Sequence, residues 1–158
     1  MMKKWGIAIG AVVLIALVIK GVVLYHGVES RQQQIKKHAI TEAKRKYDVK
    51  QVIKATTYRG THAYVVVLGI DKNGKKTYVW LPRDKGKAYV KPASEGWSRQ
   101  KVVNYVASKL DPKKIIDIRP GIEENIPVWE IVFIDHNGRY TFYYLRFDGQ
   151  DWVKNIHL

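Results

Sequence analysis

The stretch "IDKNGKKTYVWLP" at residues 70–82 returns 64 positions later as "IDHNGRYTFYYLRF" at residues 134–147, with no gap between the copies. Ile, Asp, Asn, Gly, Thr and Leu keep the same offsets. Each copy sets an Asn-Gly pair between runs rich in β-branched and aromatic residues. That is the pattern of a hairpin whose tight turn needs positive φ angles. A chain of 158 residues that builds one hairpin twice is restricted to two like units in tandem. A solenoid is excluded, because it needs three or more repeats of shorter period.

The flanking sequence extends the likeness. Before the first copy, "ESRQQQIKKHAITEAKRKYD" places Ile35, Ala39, Ala43 and Tyr47 four residues apart, an apolar stripe of helical period on a basic segment. "QVIKATTYRG", "HAYVVVLGID", the second arm of the hairpin and "KAYVK" read as strands. Before the second copy, Ser98 suits the N-cap of "RQKVVNYVASKL", in which Val102, Val103, Val106, Ala107 and Leu110 form the stripe. Asp111-Pro112 ends that helix. "KIIDIRPG", "IPVWEIVFID", "RYTFYYLRF" and "DWVKNI" follow as four strands. The expected fold class is α+β, each unit being one helix packed on a roughly four-stranded antiparallel sheet. Units of some 60 residues bury marginal cores alone, so the two are expected to pack on one another.

The N-terminus carries a different signal. Residues 5–25, "WGIAIGAVVLIALVIKGVVLY", hold a single charge, Lys20. As a helix this run measures roughly 32 Å, enough for a hydrocarbon core of about 30 Å. Lys20 lies five residues from the distal end, where its stem snorkels to the headgroups. Lys3 and Lys4 precede the run and favour a cytoplasmic N-terminus. A cleaved signal peptide would share the basic start, but "VLYHGVES" offers bulky residues where a peptidase needs small ones. The expected organisation is therefore a cytoplasmic start and transmembrane anchor over 1–28, a first unit over 29–91, a linker over 92–97 ("PASEGW") and a second unit over 98–158. The units then lie outside the cytoplasm.

Charge divides the two units. The chain has a net charge of +14. Residues 29–91 carry 16 Lys and Arg against 5 Asp and Glu, a balance of +11, whereas residues 97–158 carry 9 against 8. A basic surface favours an anionic partner. With the units outside the cytoplasm, the partner expected is anionic lipid or wall polymer, and nucleic acid recedes. The candidate contacts are Lys36, Lys37, Lys44, Arg45 and Lys46 beside the first helical stripe, and Lys75 and Lys76 at the hairpin. Tyr78 and Trp80 share one face of the following strand. That aromatic face either packs on the neighbouring unit or meets a partner.

Catalytic patterns are missing. Cysteine is absent, which excludes disulfides, thiolate metal sites and a thiol nucleophile. His26, His38, His62, His136 and His157 show neither H-x-x-H nor H-x-x-x-H spacing. Asp71 and Asp135 each precede an x-Asn-Gly turn, where Asp bonds the turn's own backbone. Glu123-Glu124 reads as a solvated acidic turn. No serine has a nucleophile-elbow context, and no glycine-rich phosphate loop is present. The expectation is a non-enzyme with no metal and no cofactor.

The second half, through Trp129-Glu130-Ile131, Asp135, Gly138 and Tyr143-Tyr144, resembles a PepSY domain. The first half, "EAKRKYDVKQV" with "YVVVLGIDKNGKKTYVWLP", is similar to the small domain that precedes PepSY in the TseB-like, or YpmB, family of Gram-positive rods. One departure is "RFDGQDW", where the PepSY pattern ends in acid-x-x-T-G. The resemblance implies two tandem PepSY- or cystatin-like units behind a single-pass anchor. It also implies a regulator of cell-wall (peptidoglycan) elongation whose partner is a penicillin-binding protein or another wall-synthesis protein. It carries over no site residue. Two other readings stand beside it: a PepSY-type inhibitor or chaperone of a secreted protease, and a module that binds anionic wall polymer.

Overall fold

The computed structural model describes the backbone of residues 2–84, 86–150 and 155–157, and the side chains of these except 2–13, 19, 21–28, 155 and 157. Helix α1 (Met2–Lys46) leads into β1 (Val49–Arg59), β2 (Ala63–Asp71), β3 (Lys76–Pro82) and β4 (Tyr89–Pro92). A 3-10 turn (Ala93–Glu95) then precedes α2 (Arg99–Lys109), β5 (Lys114–Glu123), β6 (Ile126–Ile134), β7 (Tyr140–Arg146) and β8 (Asn155–His157). Residues 1–35 form one compact unit and residues 36–158, with both sheets, another.

The apolar run at 5–25 lies within α1, but most of its side chains fall outside the described ones. Leu14, Ile15, Leu17, Val18 and Lys20 are exposed. Among the described residues no helix is long and apolar enough to cross a membrane.

The expected strands form two four-stranded antiparallel sheets, ordered β1-β2-β3-β4 and β5-β6-β7-β8. Of the "DWVKNI" strand, residues 151–154 lie outside the described residues. Ser98 caps α2 as its side chain accepts from the Lys101 N–H at 3.2 Å. At both hairpins an aspartate holds the turn. Asp71 Oδ1 accepts from the Asn73 and Lys75 N–H groups at 2.8 and 2.9 Å, and Asp135 Oδ1 accepts from the Arg139 N–H at 2.9 Å. Gly74 and Gly138 follow at φ 77° and 81°, the left-handed residue that closes such a turn.

The likeness of the halves reaches further than the hairpins. β1 slips register between Val52 and Lys54, and β5 between Ile115 and Asp117. The skipped residues, Ile53 and Ile116, are both exposed. A bulge adds one unpaired residue and resets the alternation of side chains along the strand. Each half also braces its hairpin tip against the residue just past its helix. Lys72 Nζ bonds Asp48 Oδ2 at 2.8 Å, and His136 Nε2 lies 3.4 Å from Asp111 Oδ2. Asp48 and Asp111 share a positive φ. His136 thus stands where Lys72 stands, as a turn brace.

The two sheets share one core. Residues directly opposite on antiparallel strands face the same side. Register therefore aligns Thr56, Val66 and Trp80 on one face of the first sheet, with Lys54, Leu68 and Tyr78 as the next row. That face meets Trp129 and Phe147 of the second half. Phe147 lies edge-on to Tyr78 and Trp80, 5.2 Å from each, and stacks with Trp129 at 6.1 Å. Val102 and Val106 of α2 join the same cluster. The segment expected as a linker is tied to this core too, as the Trp97 N–H donates to the Phe147 carbonyl at 2.8 Å.

Candidate functional site

β1 and β5 are the edge strands of their sheets and run beside each other. A cleft of about 120 Å³ opens between them. Val66, Leu68, Tyr78, Ile118 and Trp129 supply its apolar lining. Its charged lining is Lys54, Arg99, Arg119 and Asp117. Lys54 and Asp117 each follow the bulged isoleucine of their strand. Arg99 opens α2 directly after the Ser98 cap.

Arg119 is fixed from beneath. Its Nε donates to Glu130 Oε2 at 2.5 Å and its Nη1 lies 3.5 Å from Asp117. Glu130 is buried on β6, opposite Arg119 on one side and Tyr144 on the other, and the Tyr144 hydroxyl donates to its Oε1 at 3.3 Å. Burial opposes the charged Arg119 guanidinium, but the bond to Glu130 and the charges of Glu130 and Asp117 outweigh it and hold its pKa up. Burial, then the Glu130 charge, pushes the Tyr144 phenol up to about 12.

A second buried carboxylate joins the sheets. Glu123 is buried at the end of β5, where the sequence suggested a solvated acidic turn. The Tyr58 hydroxyl from β1 donates to its Oε2 at 3.0 Å, and Thr61 donates through its hydroxyl at 2.7 Å and its N–H at 3.3 Å. The Tyr58 ring lies over Gly121, where a Cβ would collide with it. Three donors satisfy a carboxylate that water no longer reaches, which is why burial is tolerated there. Burial, then the Glu123 charge, pushes the Tyr58 phenol up.

The sequence-derived contacts divide sharply. Lys37, Lys44, Arg45, Lys46, Lys75 and Lys76 are exposed and Lys36 is half-buried. Lys46 pairs with Glu42, whereas Lys36, Lys37 and Lys44 form no ion pair among the described residues. Trp80 is 0% exposed and Tyr78 8%, stacked on one another 5.5 Å apart. Their face is covered by the second half, so they offer no aromatic surface to a partner, although Tyr78 lines the cleft from within. Sequence reading passed over Lys54, Arg99 and Arg119. The available signal was Glu130, a lone charge inside the apolar run "PVWEIVFI", which requires a cationic or hydroxyl partner on the neighbouring strands. Among the described residues no group of three His, Cys, Asp or Glu is placed to hold a metal.

Comparison with known proteins bears on all of this. The family profile described as "Cell wall elongation regulator TseB-like domain" matches residues 38–82. The chain is 30% identical over 146 residues to the "Probable cell wall elongation regulator TseB" of Bacillus subtilis, covering 92% of this chain and 91% of that one. Among solved structures it is similar to the YpmB protein from Bacillus subtilis, with a TM-score of 0.70, 33% identity, and coverage of 77% of this chain and 96% of the other. Likeness over nearly the whole length in sequence shows that this chain belongs to the TseB-like family of cell wall elongation regulators.

Proposed function

We propose that this chain is a non-catalytic, membrane-anchored regulator that modulates peptidoglycan elongation from the wall side of the membrane by binding a penicillin-binding protein. The observation that carries the reading is the near full-length likeness to a relative described as a probable cell wall elongation regulator. The apolar run 5–25 behind Lys3 and Lys4 supports the anchor and its orientation. The carboxylates that would be looked to for acid–base chemistry are all engaged in holding the fold. Asp71 and Asp135 close turns, and Glu123 and Glu130 are buried under donors from other strands. The two halves read in this account as tandem PepSY- or cystatin-like units, a binding scaffold more than a reactive one. A strain lacking the chain tests the proposal. Altered cell diameter and altered sensitivity to β-lactams are expected. Normal shape with changed extracellular proteolysis would replace it with the protease-inhibitor or chaperone reading.

Attraction to an anionic wall polymer or lipid is a second reading, favoured by the +11 balance of residues 29–91 and by the exposed Lys37 and Lys44. Basic residues near an anionic surface contribute about 1 kcal/mol each. This attraction would concentrate the chain near its partner, and it predicts binding that falls steeply with salt.

A further inference from the structure

The cleft between β1 and β5 has two chemically distinct parts, an apolar floor and a cationic lip. The floor is built from both sheets, with Leu68 and Val66 on one side and Ile118 and Trp129 on the other. On the lip, Lys54 and Arg99 form no ion pair among the described residues, while Arg119 is committed to Glu130 and Asp117. The cleft measures about 120 Å³. That is well short of the roughly 300–1,000 Å³ of a cofactor or drug-sized pocket. It suits one side chain.

Both walls of the cleft are edge strands, whose backbones pair on one side only within their sheets. Edges of this kind accept an extended segment of another chain, with pockets reading its side chains.

From these features we infer that the cleft is a peptide-docking site for a partner protein. It receives one aliphatic or aromatic side chain of an extended acidic segment, whose neighbouring carboxylate is met by Lys54 and Arg99. The inference rests on the regulator reading and specifies where that partner is held. The apolar floor drives insertion and the unpaired cations select the carboxylate. Asp117 disfavours a second acid on the β5 side, so the preferred segment carries its acid toward Lys54 and Arg99.

The test uses the full chain in neutral-lipid nanodiscs and a labelled, terminally blocked peptide, Ser-Gly-Leu-Glu-Gly-Ser, followed by fluorescence polarisation. Its Leu-to-Gly form, its Glu-to-Gln form and dodecanoate serve as comparisons. The Glu peptide is expected to bind about fivefold more tightly than the Gln form, the scale of one exposed charge pair. Binding should be lost with the Gly form, and K54E/R99E should weaken the Glu peptide by about tenfold or more while far-UV circular dichroism is unchanged. Equal binding of the Glu and Gln peptides, binding by neither, or binding of dodecanoate alone would each overturn the inference, the last pointing to an amphiphile site. If K54E/R99E perturbs the fold, K54Q/R99Q provides the same comparison with charge removed and not reversed. In cells, crosslinking separates the two levels. If the wild-type chain never captures a penicillin-binding protein, the regulator reading fails. If the wild type captures one and K54E/R99E captures it equally, only the cleft assignment fails.

Discussion

Removing the guanidinium at position 119 should destabilise the fold more than removing the carboxylate it serves. Glu130 has a side-chain exposure of 2% and Arg119 of 29%. In Arg119→Met the stem remains, but among the described residues the buried carboxylate keeps only the Tyr144 hydroxyl, at 3.3 Å, as a hydrogen-bond partner. Stranding one member of a buried pair costs about 3–5 kcal/mol. Because one side of this pair is open to the cleft, the lower end, about 3 kcal/mol, is the expectation. For a domain of this size that lowers the thermal midpoint by roughly 6–12 °C. Glu130→Gln leaves the half-open Arg119 with Asp117 at 3.5 Å and with water, and should cost only about 1–2 kcal/mol. Arg119→Met combined with Glu130→Leu should recover most of the loss, since an apolar pair of similar volume replaces a buried ion pair at little net cost. The assay is urea unfolding of the full chain in mild detergent, followed by near-UV circular dichroism from the aromatic core. A double variant that loses as much as the sum of the two single variants would refute the reasoning.

Other predictions follow from the same structure. Gly74→Ala and Gly138→Ala should each cost about 1 kcal/mol through positive φ alone, since nothing lies within 4 Å of either added Cβ. Equal costs in denaturant unfolding, with partner capture unchanged, would mark both turns as structural. Gly121→Ala should be far worse, because its Cβ displaces the Tyr58 ring and with it a donor to buried Glu123; losing that bond alone costs about 1.5–3 kcal/mol. Tyr144 should contribute to the alkaline limb of stability, beside Tyr58, whose phenol is also pushed up. The folded pKa of Tyr144 is raised from 10.0 to about 12, so the native state holds the proton more tightly. Its contribution is complete below pH 10 and is lost as pH rises toward 12, and Tyr144→Phe should flatten that limb in a tyrosinate absorbance titration.

Much of the fold was legible in the chain. The Asn-Gly turns, the Ser98 cap and the stripes of Val102 and Val106 are local signals, and local geometry satisfies them. The repeat made the second half readable from the first, down to the aspartate that closes each turn. What stayed hidden was non-local. Glu123-Glu124 looks like a solvated turn because a sequence does not show that Tyr58 and Thr61, more than 60 residues away, supply three donors. For Tyr78 and Trp80 the sequence left open whether their face packs on the neighbouring unit or meets a partner, because alternation gives a face and leaves its neighbour unnamed. The neighbour is Phe147 with Trp129, in the other half. The two bulges were hidden too, since a single skipped residue at Ile53 or Ile116 leaves no mark in hydropathy.

The proposal to be tested is that this chain modulates wall elongation by binding a penicillin-binding protein. The most direct measurement is crosslinking of the full-length chain in intact cells, followed by labelling of the captured material with a fluorescent penicillin. A penicillin-labelled adduct that contains the chain, and that disappears from a strain lacking it, is the predicted result. Efficient crosslinking of the chain that yields no penicillin-labelled adduct would contradict the account.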